Sequence, residues 1–86
     1  MALKILGEAD DVPERIEGAI KAALPDAQVA VQAGGAGHYG LTVTSSAFAG
    51  KSMVQQHQLV YRAITPLMAG DMPPVHAIDR LTTKAP

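Results

Sequence analysis

Residues 28–45 read QVAVQAGGAGHYGLTVTS, and this stretch decides the fold. Polar and apolar side chains alternate in residues 28–32 and again in residues 38–45, which is the pattern of a strand with one buried face. Leu41 and Val43 are predicted to share that face of the second strand. Because a short glycine-rich segment joins the two strands, they are predicted to pair as a hairpin.

A helix is predicted before the hairpin, from about Asp11 to Leu24. Asp10 or Asp11 can serve as its N-cap, and Pro13 suits the first turn because its missing N–H has no helical partner there. The dipeptide Pro25-Asp26 then stops the helix. Five apolar residues fall on one helical face and are predicted to face the core: Ile16, Ala19, Ile20, Ala23 and Leu24.

A second helix is predicted after the hairpin. Residues 48–52 form the turn that leads into it, and Ser52 is placed to cap its N-terminus. Pro66 lacks the N–H that a helix interior needs, so the helix is predicted to kink or end near Thr65, with residues 69–71 as the exit. Its buried stripe is predicted to consist of Met53, Val60, Ile64 and Leu67.

A third strand completes the order α-β-β-α-β and predicts an α+β fold. The dipeptide Pro73-Pro74 forces an extended approach to Val75, and the strand is predicted to run from there to about Leu81 or Thr82. A chain of 86 residues has room for one modest core. Residues 1–86 are therefore predicted to form a single domain, with 1–9 and 83–86 as loose termini.

The composition excludes several functions. The sequence has no cysteine, so it forms no disulfide and cannot by itself hold a cysteine-ligated zinc ion or iron–sulfur cluster. Its few aromatic residues cannot build a platform for stacking nucleic-acid bases, and Lys and Arg are scattered. No window approaches the roughly 20 apolar residues of a membrane span, and the N-terminus lacks the pattern of a signal or organelle presequence. A cytoplasmic protein is expected.

Two histidines are candidates for chemistry because each lies where a predicted strand meets a loop: His38 and His76. From spacing alone, a structural role suits His76 better than a ligand role. His57 lies on the second helix between apolar residues, so it is predicted to pack there with one ring nitrogen hydrogen-bonded.

No enzymatic site can be assembled from the sequence. Residues 50–52 read GKS, like the end of a phosphate-binding P-loop, but that motif needs glycine at position 45, where the chain has Ser45. The sequence contains no G-x-S-x-G elbow, no H-E-x-x-H motif and no carboxylate cluster. The chain is therefore predicted not to be an enzyme.

Three motifs in order resemble the BolA family: F-x-G-K-S at residues 48–52, H-x-L-V-Y at residues 57–61 and V-H-A at residues 75–77. With the segment HYGLTVTSSA at residues 38–47, the resemblance covers nearly the whole chain. It implies a three-stranded sheet with helices packed on one face, similar to a class II KH domain. The element order derived from the residues agrees with that fold.

The resemblance also implies a partner of monothiol glutaredoxins in iron–sulfur cluster handling and iron regulation. The V-H-A histidine is a cluster ligand in that family, which corresponds to His76, and His38 is the candidate for the second ligand. Glutaredoxin and glutathione would supply the thiolates of a bridged [2Fe–2S] cluster, and none is expected in the isolated chain. The predicted partner-binding residues are Gly37, His38, Lys51, His76 and Arg80.

Two further points stay open. The resemblance also allows a DNA-binding transcriptional regulator of stress response and cell morphology, but the scattered basic residues and the lack of a G-x-x-G loop between helices disfavour it. Homodimerisation of the isolated chain is the second open point.

Many relatives carry arginine just before the helix histidine, whereas this chain has Gln56, so no basic role is predicted at that position.

Overall fold

The structure is a computed structural model, and it describes residues 11–86. In this part of the chain, two helices, three strands and one turn of 3₁₀ helix follow one another, which confirms the predicted α+β order. The elements are α1 (Val12–Ala23), β1 (Gln28–Ala33), β2 (His38–Thr44), the 3₁₀ turn (Ser46–Phe48), α2 (Met53–Met68) and β3 (Ala77–Lys84). Within residues 11–86, no helix is long and apolar enough to cross a bilayer.

β2 is the central strand of a sheet with the order β1-β2-β3. β1 pairs antiparallel to β2 as the predicted hairpin, and β3 pairs parallel to β2 after the chain has crossed over through α2. Alternate side chains of β2 are buried, namely Tyr39, Leu41 and Val43, which confirms the predicted face. Because β2 and β3 are parallel, their first residues, His38 and Ala77, lie at the same end of the sheet.

The core forms between the buried face of the sheet and both helices. Each helix buries a stripe of residues three or four positions apart, which is the periodicity of one helical face. Full burial of one such aliphatic side chain contributes about 1.5–3 kcal/mol to stability. The core residues are Val12, Ile16, Ile20, Leu24, Ala27, Tyr39, Leu41, Val43, Phe48, Val60, Ile64, Leu67 and Val75.

The ends of α1 differ in detail from the prediction. Asp11 occupies the N-cap position, but its side chain makes no capping hydrogen bond, and its backbone oxygen accepts from Arg15 N at 2.9 Å. The other predicted cap, Asp10, lies outside the described residues, as does the predicted loose segment 1–9. Ala23, the last residue of α1, was predicted to face the core but is exposed, whereas the C-cap residue Leu24 is buried.

Asp26 links the turn after α1 to the end of β2 through hydrogen bonds. Its carboxylate accepts hydrogen bonds from Ser45 Oγ at 2.7 Å and from the backbone N–H of Ser46 at 2.8 Å. Ser45 is completely buried, and its oxygen also accepts from Ala47 N at 3.1 Å. The hydrogen bonds from Ser46 and Ser45 favour the ionised carboxylate and hold the pKa of Asp26 at about 2, below its ordinary value of 3.8.

α2 continues to Met68 and Ala69 is its C-cap, which confirms the predicted exit at residues 69–71. Of the two outcomes predicted near Thr65, a kink or an end, the end of the helix is wrong. Leu67 is buried, and its backbone oxygen accepts a hydrogen bond from Val75 N at 3.2 Å. These contacts hold the last turn of the helix against the core, although Pro66 removes one helical hydrogen bond within it.

The start of α2 is more exposed than predicted. Ser52 Oγ accepts from Gln55 N at 3.2 Å and Gln55 Oε1 accepts from Ser52 N at 3.0 Å, a capping box that confirms Ser52 as the N-cap. Met53, predicted in the buried stripe, is 67% exposed. The core at this end of α2 is filled instead by the buried side chain of Phe48, whose backbone oxygen accepts from Gln56 in the first turns of the helix.

β3 is shifted along the chain relative to the prediction. It begins at Ala77 rather than at Val75, which is buried just before the strand, and it continues to Lys84. The predicted loose terminus 83–86 is therefore wrong for its first two residues. They pair with the last residues of β2, and Ser45 N donates to Lys84 O at 3.1 Å, so ladder hydrogen bonds hold them in the sheet.

Candidate functional site

Gly37 joins the two segments that carry the candidate histidines. Its backbone oxygen accepts hydrogen bonds from His76 N at 2.7 Å and from Ala77 N at 3.1 Å. The residue has φ +75°, a conformation that glycine adopts without strain, and a Cβ at this position would come within 2.9 Å of His76 Cγ. The imidazole ring of His76 therefore lies directly against Gly37, and this contact requires glycine.

His38 begins β2 immediately after Gly37. Backbone hydrogen bonds close the preceding turn, one of them from Gly34 N to His38 O at 2.8 Å. In the ladder His38 lies opposite Ala77, the residue that follows His76. Because adjacent strands are about 4.8 Å apart, the backbones that carry the two histidines are direct neighbours. The structure thus brings three of the predicted site residues to one end of the sheet: Gly37, His38 and His76.

Asp79 is a further member of this site, and the sequence analysis missed it. The register between β2 and β3 shifts after Tyr39, which leaves Asp79 as a bulged residue without a partner on β2. Its Oδ1 lies 3.0 Å from His38 Nδ1. The side chains are 59% exposed for Asp79 and 45% exposed for His38. Alternation within one strand does not reveal a bulge. The sequence therefore offered only one indication that Asp79 belongs to the site, namely an acidic residue shortly after His76.

The site offers two imidazoles and no thiolate. His76 is exposed and His38 is partly exposed, so a second molecule can reach both rings. Within residues 11–86, no three or more His, Cys, Asp or Glu side chains gather in a group that could hold a metal ion. A [2Fe–2S] cluster takes four ligands, and two imidazoles replace two thiolates on one iron in Rieske-type centres. By type, the two imidazoles could supply two of the four ligands of such a cluster, and the other two would have to come from another molecule.

The two predicted basic contacts lie in different places. Arg80 is exposed on β3 next to Asp79, and it borders the histidine site. Lys51 is exposed in the turn before α2, and its backbone oxygen accepts from Gln56 Nε2 at 2.9 Å. Because Gln56 also bonds Thr83, near the last residues of β3, Lys51 lies at the opposite end of the sheet from the histidines.

Gln56 occupies the position where many relatives carry arginine. Its side-chain nitrogen donates to Lys51 O and, at 3.4 Å, to Phe48 O, and its oxygen accepts from Thr83 Oγ1 at 2.6 Å. The side chain of Gln56 thus links the turn before α2 to β3 through hydrogen bonds. It has a structural role.

His57 is partly buried beside the stripe of α2 that holds Val60 and Ile64, as predicted, but within residues 11–86 its ring makes no hydrogen bond, so that part of the prediction is wrong. The residue is partly exposed and lines an open groove on the outer side of α2 with Val54, Tyr61 and Arg62.

The fold and the site define a class of protein. It is a small α+β protein with a mixed three-stranded sheet, and its candidate ligands are two accessible imidazoles at the open end of that sheet. A cluster held there has to be completed by another molecule.

Comparisons with known proteins identify the family. The family model for the BolA-like protein matches residues 20–86. BolA1 from Arabidopsis thaliana has a similar fold, with a TM-score of 0.70 at 21% identity over 86% of this chain and 90% of that one. A BolA homologue from Coxiella burnetii has a TM-score of 0.69 and 28% identity, covering 85% of this chain and 88% of that one. The BolA domain of SufE1 from Arabidopsis thaliana has a TM-score of 0.66 and 26% identity, covering 86% of this chain and 91% of that one. No curated protein matches the sequence. The chain belongs to the BolA-like family.

Proposed function

We propose that this chain is a non-enzymatic adaptor that binds a monothiol glutaredoxin and shares a [2Fe–2S] cluster with it and with glutathione. His76 and His38 are the ligands from this chain, and the protein acts in iron–sulfur cluster trafficking or iron regulation in the cytoplasm. The observation that carries the proposal is the pair of accessible imidazoles that the backbone of Gly37 joins at one end of the sheet.

The ligand inventory supports a shared cluster. The sequence has no cysteine, so the thiolates come from the glutaredoxin and from glutathione. Neutral imidazole carries less negative charge than thiolate, and a cluster with two histidine ligands has a higher reduction potential than one with four cysteines. A bound cluster would supply electron-transfer or cluster-transfer chemistry, while this chain's own residues position the two imidazoles.

The surface around the histidines supports the approach of a partner. The loop between β1 and β2 carries only alanine and glycine, and a Cβ on Gly35 would have no atom within 4 Å. A second protein can therefore come close to the backbone beside both rings. Arg80 borders this surface and suits an acidic group of the partner or a carboxylate of glutathione. Lys51 lies at the other end of the sheet, so it would meet a partner only through a separate surface.

Anaerobic reconstitution tests the proposal. The protein is combined with a monothiol glutaredoxin, glutathione, iron and sulfide, and the visible circular dichroism and EPR spectra are compared with those of the glutaredoxin alone. A new spectrum of the heterocomplex is expected, and both His76→Ala and His38→Ala should abolish it. His57→Ala is the matched control, because it removes a histidine from the outer side of α2 and should leave the spectrum unchanged.

Each negative result has a separate meaning. If His76→Ala gives the parent spectrum, His76 is not a ligand, and the same reasoning applies to His38. If an active glutaredoxin gives no complex with the parent protein, the adaptor function is refuted. DNA binding across salt concentrations then tests the regulator alternative, which a steep salt dependence together with sequence selectivity would support.

A further inference from the structure

We infer that Asp79 is a positioning residue that fixes the tautomer of His38 and presents Nε2 of that ring to a ligand. Asp79 Oδ1 lies 3.0 Å from His38 Nδ1. An ionised carboxylate can only accept a hydrogen bond, so Nδ1 carries the proton. In a neutral imidazole the lone pair is then on Nε2. The tautomer follows from this contact with an ionised carboxylate, while the identity of the ligand rests on the proposed function.

The backbone builds this contact. The bulge on β3 leaves Asp79 without a partner on β2. A Cβ on Gly34 would lie 3.7 Å from His38 Cβ and 3.8 Å from Asp79 Oδ2, so the glycine loop runs along the side of both residues. Gly34 N also donates to His38 O at 2.8 Å. The two side chains are thus held by the strand pairing and by the loop.

Stability does not account for the contact. Both side chains are about half exposed, and an ion pair or hydrogen bond at such a surface contributes little to stability. An Asp79→Ala variant should therefore fold. Histidines that bind metals in proteins commonly donate their other ring N–H to a carboxylate, and loss of that carboxylate costs about 10–100-fold in metal affinity. The contact has the form of such a supporting interaction.

NMR of the apo protein tests the tautomer without any cluster. Two-bond ¹H–¹⁵N correlations, which distinguish the two neutral tautomers of histidine, are recorded at alkaline pH. The parent should show His38 protonated on Nδ1, and Asp79→Ala should show protonation shifting to Nε2. His76 should have the same tautomer in both proteins. Glu14→Ala, which removes a carboxylate from an exposed position on α1, should leave His38 unchanged.

An unchanged His38 tautomer in Asp79→Ala overturns the inference. The reconstituted complex with a monothiol glutaredoxin provides the second measurement, in which Asp79→Ala should lower cluster affinity about 10–100-fold in competition with a chelator. If the parent forms no cluster complex but the tautomer responds, the proposed function fails and the inference about the tautomer stands. If the parent forms the complex and neither the tautomer nor the affinity changes, the inference fails and the proposed function stands.

Discussion

The imidazole ring of His76 lies against the backbone of Gly37, at a point where a Cβ would come within 2.9 Å of the ring carbon Cγ. The same glycine accepts the backbone hydrogen bond from His76 N. One residue therefore holds both the backbone and the ring of the histidine that follows α2, and it places them beside the first residue of β2.

Gly37→Ala should destabilise the protein and displace the ring of His76. A positive φ costs a residue with a Cβ about 1–2 kcal/mol, and the contact with the ring adds to that cost. Urea denaturation measures the loss, and the ring signals of His76 in NMR spectra report the displacement. Gly35→Ala is the matched control, since a Cβ at Gly35 would have no atom within 4 Å. Equal effects of the two variants would contradict this account of Gly37.

Asp26 should make stability depend on pH in the acid range. Its folded-state pKa of about 2 lies below the ordinary value of 3.8, so its stabilising contribution is present above about 3.8 and is lost as pH falls towards 2. Asp26→Asn should therefore lower the urea midpoint at neutral pH, and its difference from the parent should shrink near pH 2. Asp71→Asn, at an exposed position, serves as control. A difference between Asp26→Asn and the parent that stays constant with pH would rule out this origin.

Gln56 and Thr83 should be energetically coupled, because Thr83 Oγ1 donates to Gln56 Oε1 at 2.6 Å and joins β3 to α2. A double-mutant cycle of Gln56→Ala and Thr83→Val should give a coupling energy of about 0.5–1.5 kcal/mol in urea denaturation. Gln58→Ala, on an exposed position of the same helix, should cost less than about 0.5 kcal/mol. Additive effects in the cycle would show that the hydrogen bond contributes nothing to stability.

Ile64 and Met53 should respond very differently to truncation, although both were predicted to lie on the buried stripe of α2. Ile64 is fully buried, so Ile64→Ala should cost about 2–5 kcal/mol of the free energy of unfolding. Met53 is 67% exposed, so Met53→Ala should cost about 0.5 kcal/mol or less. Denaturant titrations of both variants make the comparison. Similar losses for the two variants would mean that Met53 packs against the core in solution.

Local pattern was sufficient to predict the elements and the two faces of the central strand. The burial of Leu41 and Val43 followed from alternation alone, because a strand turns every second side chain to the same side. The placement of His38 and His76 at strand entrances also followed from element boundaries. Their proximity depends on the parallel pairing of β2 with β3, which is a property of the assembled sheet.

The predictions that were wrong concern residues whose positions depend on packing between distant segments or on the register of two strands. Pro66 predicted a kink or an end of α2 near Thr65, but the helix continues to Met68, and the buried side chain of Leu67 lies in its last turn. Met53 has the right spacing for the core but lies exposed at the start of α2, whereas Phe48 in the preceding turn is buried. The contact between Asp79 and His38 depends on a bulge, and a bulge is defined only by how two strands pair. Each of these outcomes depends on tertiary packing rather than on local sequence.

The candidate site exists only while an edge strand stays closed. His38 and Asp79 are separated by 41 positions, and β3 reaches its place in the sheet only after α2 has crossed over. Local opening of an edge strand costs less free energy than global unfolding. Opening of β3 would part Asp79 and His76 from His38 while the hairpin of β1 and β2 remained. The apparent affinity of the site for any ligand is reduced by the fraction of molecules in which β3 is open. Partner binding and strand closure are therefore thermodynamically linked, and a bound partner would protect the amides of β3 from hydrogen exchange.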